Sequence, residues 1–263
     1  MSETRRLIDS ERESWENGFF GREVPVPPPP KAILETLRVA SGEGFTTLEA
    51  HVFPFRPVFP SRKVALQPDD KYPGWKIKPS DLFWDWVKAG KLSRDAARFP
   101  GPYWVIVDGS DRLKYDGGRQ LYTDDRLGQE LARLREEGKI ATSGYSPEVP
   151  PASRCAVSMK EVDRVIKPLV AGILRLEKYQ GNMVKSRIPY AREFNILGNA
   201  FYPQWGDEPL IWELFEDRYD RSGCFYGDLS CSPGNLVFTS HWYGQKDPFT
   251  SFRPLIEFPL GSY

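Results

Sequence analysis

The sequence lacks the features that mark several large classes of protein. Its 263 residues include 36 basic and 36 acidic side chains, and no dense lysine–arginine run offers a surface to nucleic acid. No apolar run approaches the length of a membrane span. Residues 1–18 are polar and charged, unlike a secretory signal. We therefore expect a cytoplasmic or virion-associated protein that binds no nucleic acid and has no membrane span.

Cysteine and histidine are also scarce. The odd number of cysteines, three, argues against a disulfide framework. Cys224 and Cys231 are seven residues apart and Cys155 is distant, so the paired spacing of a structural zinc site is missing. The two histidines are His51 and His241, and His241 is either a ligand contact or a hydrogen-bonding surface residue. The sequence thus predicts no metal, no cofactor and no catalytic residue.

Aromatic residues, proline and glycine are abundant. Aromatics make up 14% of the chain, with eight tryptophans, 24 prolines and 22 glycines, a composition that favours short strands and structured loops. Apolar spacing predicts a set of helices, at 31–44, 78–93 with Ser80 as N-cap, 124–140, and 158–178 with a Ser158/Glu161 capping box and a kink at Pro168. Strands are predicted at 103–108, buried, and within 46–60, at an edge.

From residue 186 onward the helical period is lost, and short apolar segments alternate with glycine, proline and aspartate. We therefore predict an α+β chain whose last third is strand and loop. Residues 1–30 are expected to be a polar arm, containing a short helix, and a proline-rich spacer in the polyproline conformation. Residues 31–95 form an N-terminal elaboration, and 96–263 form the main domain.

Two acidic clusters are candidates for chemistry. Asp108, Asp111 and Asp116 lie near glycines, but their spacing is not that of an EF-hand, and a strand-to-turn connection explains them as well. A second cluster, Glu213, Glu216, Asp217 and Asp220, lies on a predicted strand and turn. Its carboxylates are either a pair for glycoside hydrolysis or partners of buried arginines, of which Arg253 would be one.

An ordered set of short motifs resembles the C-terminal core of the formylglycine-generating-enzyme-like branch of the C-type lectin fold. The motifs are Gly198-Asn199, Trp212-Glu213, Asp217, Gly227 with Ser230, and Phe252-Arg253. The resemblance covers residues 190–258 and departs from the family at Leu214, Asp228 and Ser251. It implies a C-type-lectin-like fold with an N-terminal helical elaboration. The enzymes of this branch hold copper with two closely spaced cysteines, whereas Cys224 and Cys231 are farther apart.

The same branch includes the variable proteins of diversity-generating retroelements, which the chain also resembles. In that family, randomised adenines in AA-pyrimidine codons never produce Lys, Glu, Gln, Met or Trp. These five types account for 50 of the 263 residues, so a window of 35 residues would hold between six and seven. Residues 217–251 hold three, which are Trp242, Gln245 and Lys246. This depletion agrees with a diversified segment and is also explained by loop composition.

These observations lead us to expect a non-enzymatic binding protein whose variable region, about 217–253, binds a macromolecular ligand. We expect this ligand to be a protein. Glycine and apolar positions of the segment, with a closing strand over 252–258, would form the scaffold. The displayed set would be Tyr226, Asp228, Ser230, Cys231, Ser232, Asn235, Phe238, Ser240, His241, Tyr243, Asp247, Thr250 and Ser251. The alternative is that half of these are ordinary loop or inward-facing residues, which we expect for several of them. The alternatives are a formylglycine-generating-enzyme-like oxidase using Cys224 and Cys231, and a virion or host-interaction protein with a fixed surface.

Overall fold

The computed structural model describes residues 2–54, 72–79, 81–97, 101–111, 113–141, 149–206, 211–218, 223–228, 235–242 and 244–260. Within these ranges, α-helices and two β-sheets form a mixed α+β fold, which confirms the predicted class. The helices are α1 (Glu3–Glu13), α2 (Lys31–Gly42), α3 (Asp81–Lys88), α4 (Arg126–Glu136), α5 (Met159–Glu161), α6 (Lys167–Ile173) and α7 (Ala191–Ala200). The strands are β1 (Leu48–Phe53), β2 (Lys78–Pro79), β3 (Tyr103–Asp108), β4 (Lys185–Arg187), β5 (Trp212–Arg218), β6 (Gly223–Asp228), β7 (Asn235–Trp242), β8 (Thr250–Ser251) and β9 (Leu255–Pro259).

The first sheet has the order β1-β3-β9-β4, and all of its neighbouring strands are antiparallel. β3 is buried from its second residue onward, as its continuous apolar sequence predicts. β1 is at the edge, which is also the predicted position. The closing strand β9 pairs with β3 and β4, so the C-terminal part of the chain lies inside the sheet that the N-terminal half begins.

The second sheet has the order β2-β7-β6-β5-β8. Its three central strands are antiparallel, whereas β2 and β8 are short and run parallel to β7 and β5. The β5–β6 register shifts between Leu214 and Arg218, an irregularity of the β-bulge kind that bends the strand. Residues 217–218, 223–228, 235–242 and 250–251 of the predicted variable region lie in strands of this sheet.

The N-terminal segment differs from the expected polar arm. α1 continues into a π-helical stretch, Ser14–Phe20, and Trp15, Phe19 and Phe20 on that stretch are buried in the main core. The polar composition of α1 suggested that the whole N-terminal segment is exposed, so the burial of the aromatic residues that follow α1 was not predicted. The proline-rich segment ends at Pro30 with φ −55° and ψ 145°, the polyproline conformation expected there.

The capping box of Ser158 and Glu161 is present, as predicted. A π-helical stretch, Val162–Ile166, then separates α5 from α6, and Pro168 occupies an early position of α6. Proline is tolerated there because the first N–H groups of a helix have no partner within it. The predicted interruption near Pro168 therefore takes the form of a widened turn immediately before it.

α7 corrects the prediction that the helical period ends at residue 186. The side chain of Glu193 accepts a hydrogen bond from the Tyr190 N–H at 2.7 Å and so closes the start of the helix. The run from Phe194 to Gly198 is buried without interruption, which removes the apolar–polar alternation that reveals a surface helix. Asn195 and Asn199 donate to the Ile77 carbonyl at 3.0 and 2.9 Å, and Asn199 thereby connects α7 to the segment before β2.

One hydrophobic core includes residues from the three segments that the sequence suggested, from Trp15 through Ile33 and Trp104 to Phe258. β1 and β3 also pair across the expected boundary near residue 95. In the described part of the chain, no helix combines the length and apolar character needed to cross a membrane.

Candidate functional site

A buried ion pair joins Glu213, which precedes the predicted variable region, to Arg253 at the end of that region. Arg253 Nη2 donates to Glu213 Oε1 at 2.9 Å, and both side chains are almost completely buried. Arg253 Nη1 also donates to the carbonyl oxygens of Asp108 and Ser110 at 2.8 and 3.0 Å. The guanidinium carbon lies 4.0 Å from the centroid of the Trp205 ring. Of the two alternatives for the acidic cluster, the structure shows the pairing of Glu213 with a buried Arg253.

The other described carboxylates of this cluster also accept hydrogen bonds from neighbouring elements. Glu216 accepts from Lys167 Nζ at 2.8 Å, which connects β5 to α6. Asp217 Oδ2 accepts from the Ala191 N–H at 2.7 Å, at the start of α7. Burial raises the pKa of the Asp217 carboxyl, with Arg192 acting in the opposite direction. Asp220 lies outside the described residues. The three described carboxylates thus position β5 against its neighbours.

The glycine-rich segment after β3 is a strand-to-turn connection with its own buried charges. Arg154 forms ion pairs with Asp108 and with Asp125, the latter at 2.6 Å between Nη2 and Oδ1. Burial opposes ionisation of Asp108, but Arg154 and Arg253 outweigh it and hold the pKa of this carboxyl well below its usual range. Asp116 pairs with Arg119 at 3.0 Å near the surface. These contacts support the structural alternative for the aspartates over a calcium loop.

The structure places the predicted displayed residues in several different environments. Tyr226 is half-buried in β6, and its ring centroid lies 4.5 Å from that of Trp212. Asp247 is half-buried in the loop after β7, and its carbonyl accepts from the Ala156 N–H at 3.0 Å. Other members of the set lie at strand positions, which are Asp228 in β6 and Asn235, Phe238, Ser240 and His241 in β7. Ser230, Cys231, Ser232 and Tyr243 lie outside the described residues.

Thr250 and Ser251 are not exposed, contrary to the prediction. They form β8, which pairs in parallel with Trp212 and Glu213 of β5, and they are 2% and 0% exposed. Their position beside the Glu213–Arg253 pair explains the burial. Serine and threonine next to a glycine- and aromatic-rich loop resemble surface residues in sequence, but the pairing that buries them depends on a strand nearly forty positions earlier.

The register of β6 and β7 arranges the strand positions of the set in cross-strand pairs. Cα partners are Phe238 with Gly227, Ser240 with Phe225, and His241 with Cys224.

Cys224 is fully buried, and burial raises the pKa of its thiol to about 11. Cys155 is also buried, with its pKa raised to about 11 by burial. Among the described residues, no cluster of three or more His, Cys, Asp and Glu side chains is arranged to hold a metal ion.

His51 has a structural environment that the sequence did not indicate. Its Nδ1 lies 2.9 Å from Glu11 Oε1, and its Nε2 lies 2.5 Å from the Tyr202 hydroxyl. Glu11 Oε2 also accepts from the Val52 N–H at 2.9 Å, so these contacts hold α1 against β1. No local motif marks this group, because its members come from three distant parts of the chain.

A surface cleft of about 520 Å³ lies beside the connection after β3, and sequence patterns gave no sign of it. Apolar side chains of Leu113, Leu121 and Tyr122 line it together with charged side chains of the same connection. Comparison with known proteins finds no family model, no curated protein and no solved structure that matches this chain.

Proposed function

We propose that this chain is a binding protein that displays a diversified surface on a rigid scaffold, similar to the variable proteins of diversity-generating retroelements. The scaffold would have the C-type-lectin-like fold of the formylglycine-generating-enzyme-like branch, with residues 31–95 as its N-terminal elaboration. The observation that carries the proposal is the buried pair of Glu213 and Arg253. These two residues belong to separate motifs of the resemblance: Glu213 lies four residues before the candidate segment 217–253, and Arg253 is its last residue.

When the scaffold holds the chain in place before and after a segment, the amino-acid sequence between those two positions can vary. β5 leads into the segment, and Arg253 follows it, held by Glu213 and by two carbonyl oxygens. β8 returns the chain to β5 immediately before Arg253. This arrangement supports the proposal because binding residues commonly occupy loops that a rigid scaffold positions.

The composition of the segment favours a protein as the ligand. Tyrosine and other aromatic residues provide large contacts with few rotatable bonds, and serine, asparagine and aspartate add adaptable hydrogen bonds, as in antibody loops. The formal net charge of zero offers no general attraction to nucleic acid. The burial of Cys224 gives the oxidase alternative no support.

The nucleotide sequence around the gene tests this proposal. We expect a nearby imperfect repeat of the segment that differs only opposite adenines, with differences at codons of the displayed set. The codons of Glu213 and Arg253 serve as the internal control, and they should be free of such differences because their side chains hold the frame. If no such repeat exists, the diversified surface is excluded, and a binding protein with a fixed virion or host-interaction surface takes its place.

A further inference from the structure

His51 of β1 belongs to a chain of hydrogen bonds that joins three parts of the molecule. Its Nδ1 atom is 2.9 Å from Oε1 of Glu11 on α1. Its Nε2 atom is 2.5 Å from the hydroxyl oxygen of Tyr202, the second residue after α7. That hydroxyl is in turn 2.6 Å from Oε2 of Glu49 on β1. The chain therefore contains three contacts, and each of them needs one proton.

The hydroxyl of Tyr202 provides one of these protons. Burial, followed by the charge of Glu49, raises the pKa of this hydroxyl far above its usual range, with Arg253 acting in the opposite direction, so the hydroxyl keeps its proton. His51 Nε2 and Glu49 Oε2 are 3.8 Å apart, so the two contacts leave the hydroxyl oxygen in nearly perpendicular directions and one proton cannot serve both. The proton of Tyr202 serves the contact to Glu49, because a carboxylate accepts hydrogen bonds and does not donate them.

The ring of His51 must then provide the other two protons. A neutral ring has one N–H group, which would satisfy either Glu11 or Tyr202 and leave two acceptors facing each other across the remaining contact. Oε2 of Glu11 also accepts from the Val52 N–H at 2.9 Å, so both oxygens of this carboxylate act as acceptors. Two N–H groups are present only in the doubly protonated ring, the imidazolium.

The surroundings of the His51 ring suit a positive charge. Glu11 approaches the ring from α1 and Glu49 from the same strand, and carboxylates favour the charged form of a nearby base. The ring of Phe201 lies against it with centroids 4.1 Å apart, and the face of an aromatic ring attracts a cation. On β3 the Cα partner of His51 is the apolar Val105. Two carboxylates therefore compensate one positive charge.

We propose that His51 is a proton-dependent latch for the N-terminal helical segment, residues 2–20. With both ring protons in place, His51 connects α1 to β1 and to the residues after α7. When the ring loses one proton, one of its two contacts is left with two acceptors, and the link between α1 and the rest of the fold weakens. The inference is independent of the proposed function.

The latch gives the stability of the chain a definite dependence on pH. Histidine in an unfolded chain has a pKa of about 6.5, so below that pH both the folded and the unfolded chain hold the proton and the contribution of the latch is complete. Above it the folded chain holds a proton that the unfolded chain has released, and the contribution is lost as the pH rises.

Nuclear magnetic resonance of the full chain, labelled with ¹⁵N in its histidine rings, tests the inference. The two ring nitrogens of an imidazolium resonate close together, whereas those of a neutral ring resonate far apart because one of them carries no proton. The chain has two histidines, and His241→Asn or sequential assignment through the backbone identifies the signals. At about pH 7.5 we expect both ring protons on His51 in the folded chain, and one in most molecules of the chain unfolded in urea. Equal loss of the second proton from the folded and the unfolded chain would overturn the inference.

Glu11→Gln separates the latch from ordinary packing. The amide has nearly the same shape as the carboxylate, and its oxygen can still accept from the Val52 N–H while its NH₂ group donates to a neutral ring. We therefore expect the His51 ring of this variant to carry one proton at about pH 7.5. The urea midpoint of the variant should fall less between about pH 6.5 and about pH 9 than that of the wild type.

Glu16→Gln is the matched control. Glu16 lies on the same segment, and its Oε1 accepts from the Val24 N–H at 3.0 Å. This change should leave the protonation of the His51 ring and the pH dependence of the urea midpoint as they are in the wild type. If Glu11→Gln and Glu16→Gln behave alike, His51 is not a latch. Circular dichroism checks that each variant is folded, and the wild-type comparison of folded and unfolded chains decides the matter without them.

Discussion

At the scale of single residues, Arg253 joins more parts of the molecule than its place in a short motif suggests. Its guanidinium contacts Glu213 of β5, two carbonyls after and within β3, and the Trp205 ring. Removing one partner of a buried ion pair leaves the other charge without compensation, which costs far more than the pair itself contributes. The stability of the fold around β5 therefore depends on both partners of the Glu213–Arg253 ion pair being present.

Arg253→Ala should lower the free energy of unfolding by about 3–5 kcal/mol, because Glu213 would remain buried without its partner. Urea denaturation monitored by circular dichroism measures the change. Arg38→Ala is the matched control, since Arg38 pairs with Glu3 at 2.7 Å where the two side chains are 65% and 57% exposed. That change should cost less than about 1 kcal/mol. Equal losses for the two variants would contradict the role given to Arg253.

Single residues also show how far the sequence could be interpreted. The acidic cluster was compatible with catalysis or with a buried arginine such as Arg253, and only the structure shows that Glu213 pairs with Arg253. Thr250 and Ser251 could not be assigned from the sequence either, because their burial follows from parallel pairing with Trp212 and Glu213. The cleft was also beyond prediction, since its charged and apolar lining has no regular spacing.

At the scale of elements, α1 and the π-helical stretch that follows it (Ser14–Phe20) are part of the hydrophobic core. The ring of Trp15 contacts those of Phe19, Phe20, Phe53 and Phe201 with centroid separations of 5.2 to 6.3 Å. The hydrogen bonds of Glu11 to His51 and Val52 hold the same segment from the other side. Helices that are polar in composition can still be fixed by one aromatic cluster at their end.

Trp15→Ala should therefore destabilise the whole chain by about 3–5 kcal/mol, the usual cost of truncating a large buried aromatic side chain. The measurement is the urea midpoint of the purified protein. Arg5→Ala on the same helical segment provides the control, because the Arg5 side chain is 61% exposed and pairs with Asp9 on the surface. We expect less than about 0.5 kcal/mol for that pair. A small effect of Trp15→Ala would mean that residues 2–20 behave as the free arm that composition suggested.

The elements found from sequence and the elements missed differ in one physical respect. α2 and α4 each have one buried and one exposed side, so the periodicity of their apolar residues reveals them. α5 begins with a capping box, which is a local sequence signal. α7 is buried along most of its length and lacks that contrast. β2 and β8 are two residues long and exist only because longer strands pair with them.

At the scale of the whole molecule, sequence patterning predicted an α+β chain but not the order of its strands. β9 lies between β3 and β4, and its paired residues in these strands are separated from it by 68 to 156 positions along the chain. Contacts of such separation leave no periodic trace in a single sequence. The resulting architecture brings the closing strand into the first sheet and leaves the second sheet to carry most of the candidate binding segment.

The central claim is that this segment is a variable surface on a fixed frame, and two codon-randomised libraries of the full chain test it directly. One library randomises the predicted displayed positions except the buried Thr250 and Ser251. The other randomises an equal number of positions taken from the buried residues of β5, β6, β9 and their flanks. The fraction of folded members is measured by protease resistance on a display system. We predict that most members of the first library remain folded and that few of the second do; a similar loss of folding in both libraries would contradict the claim.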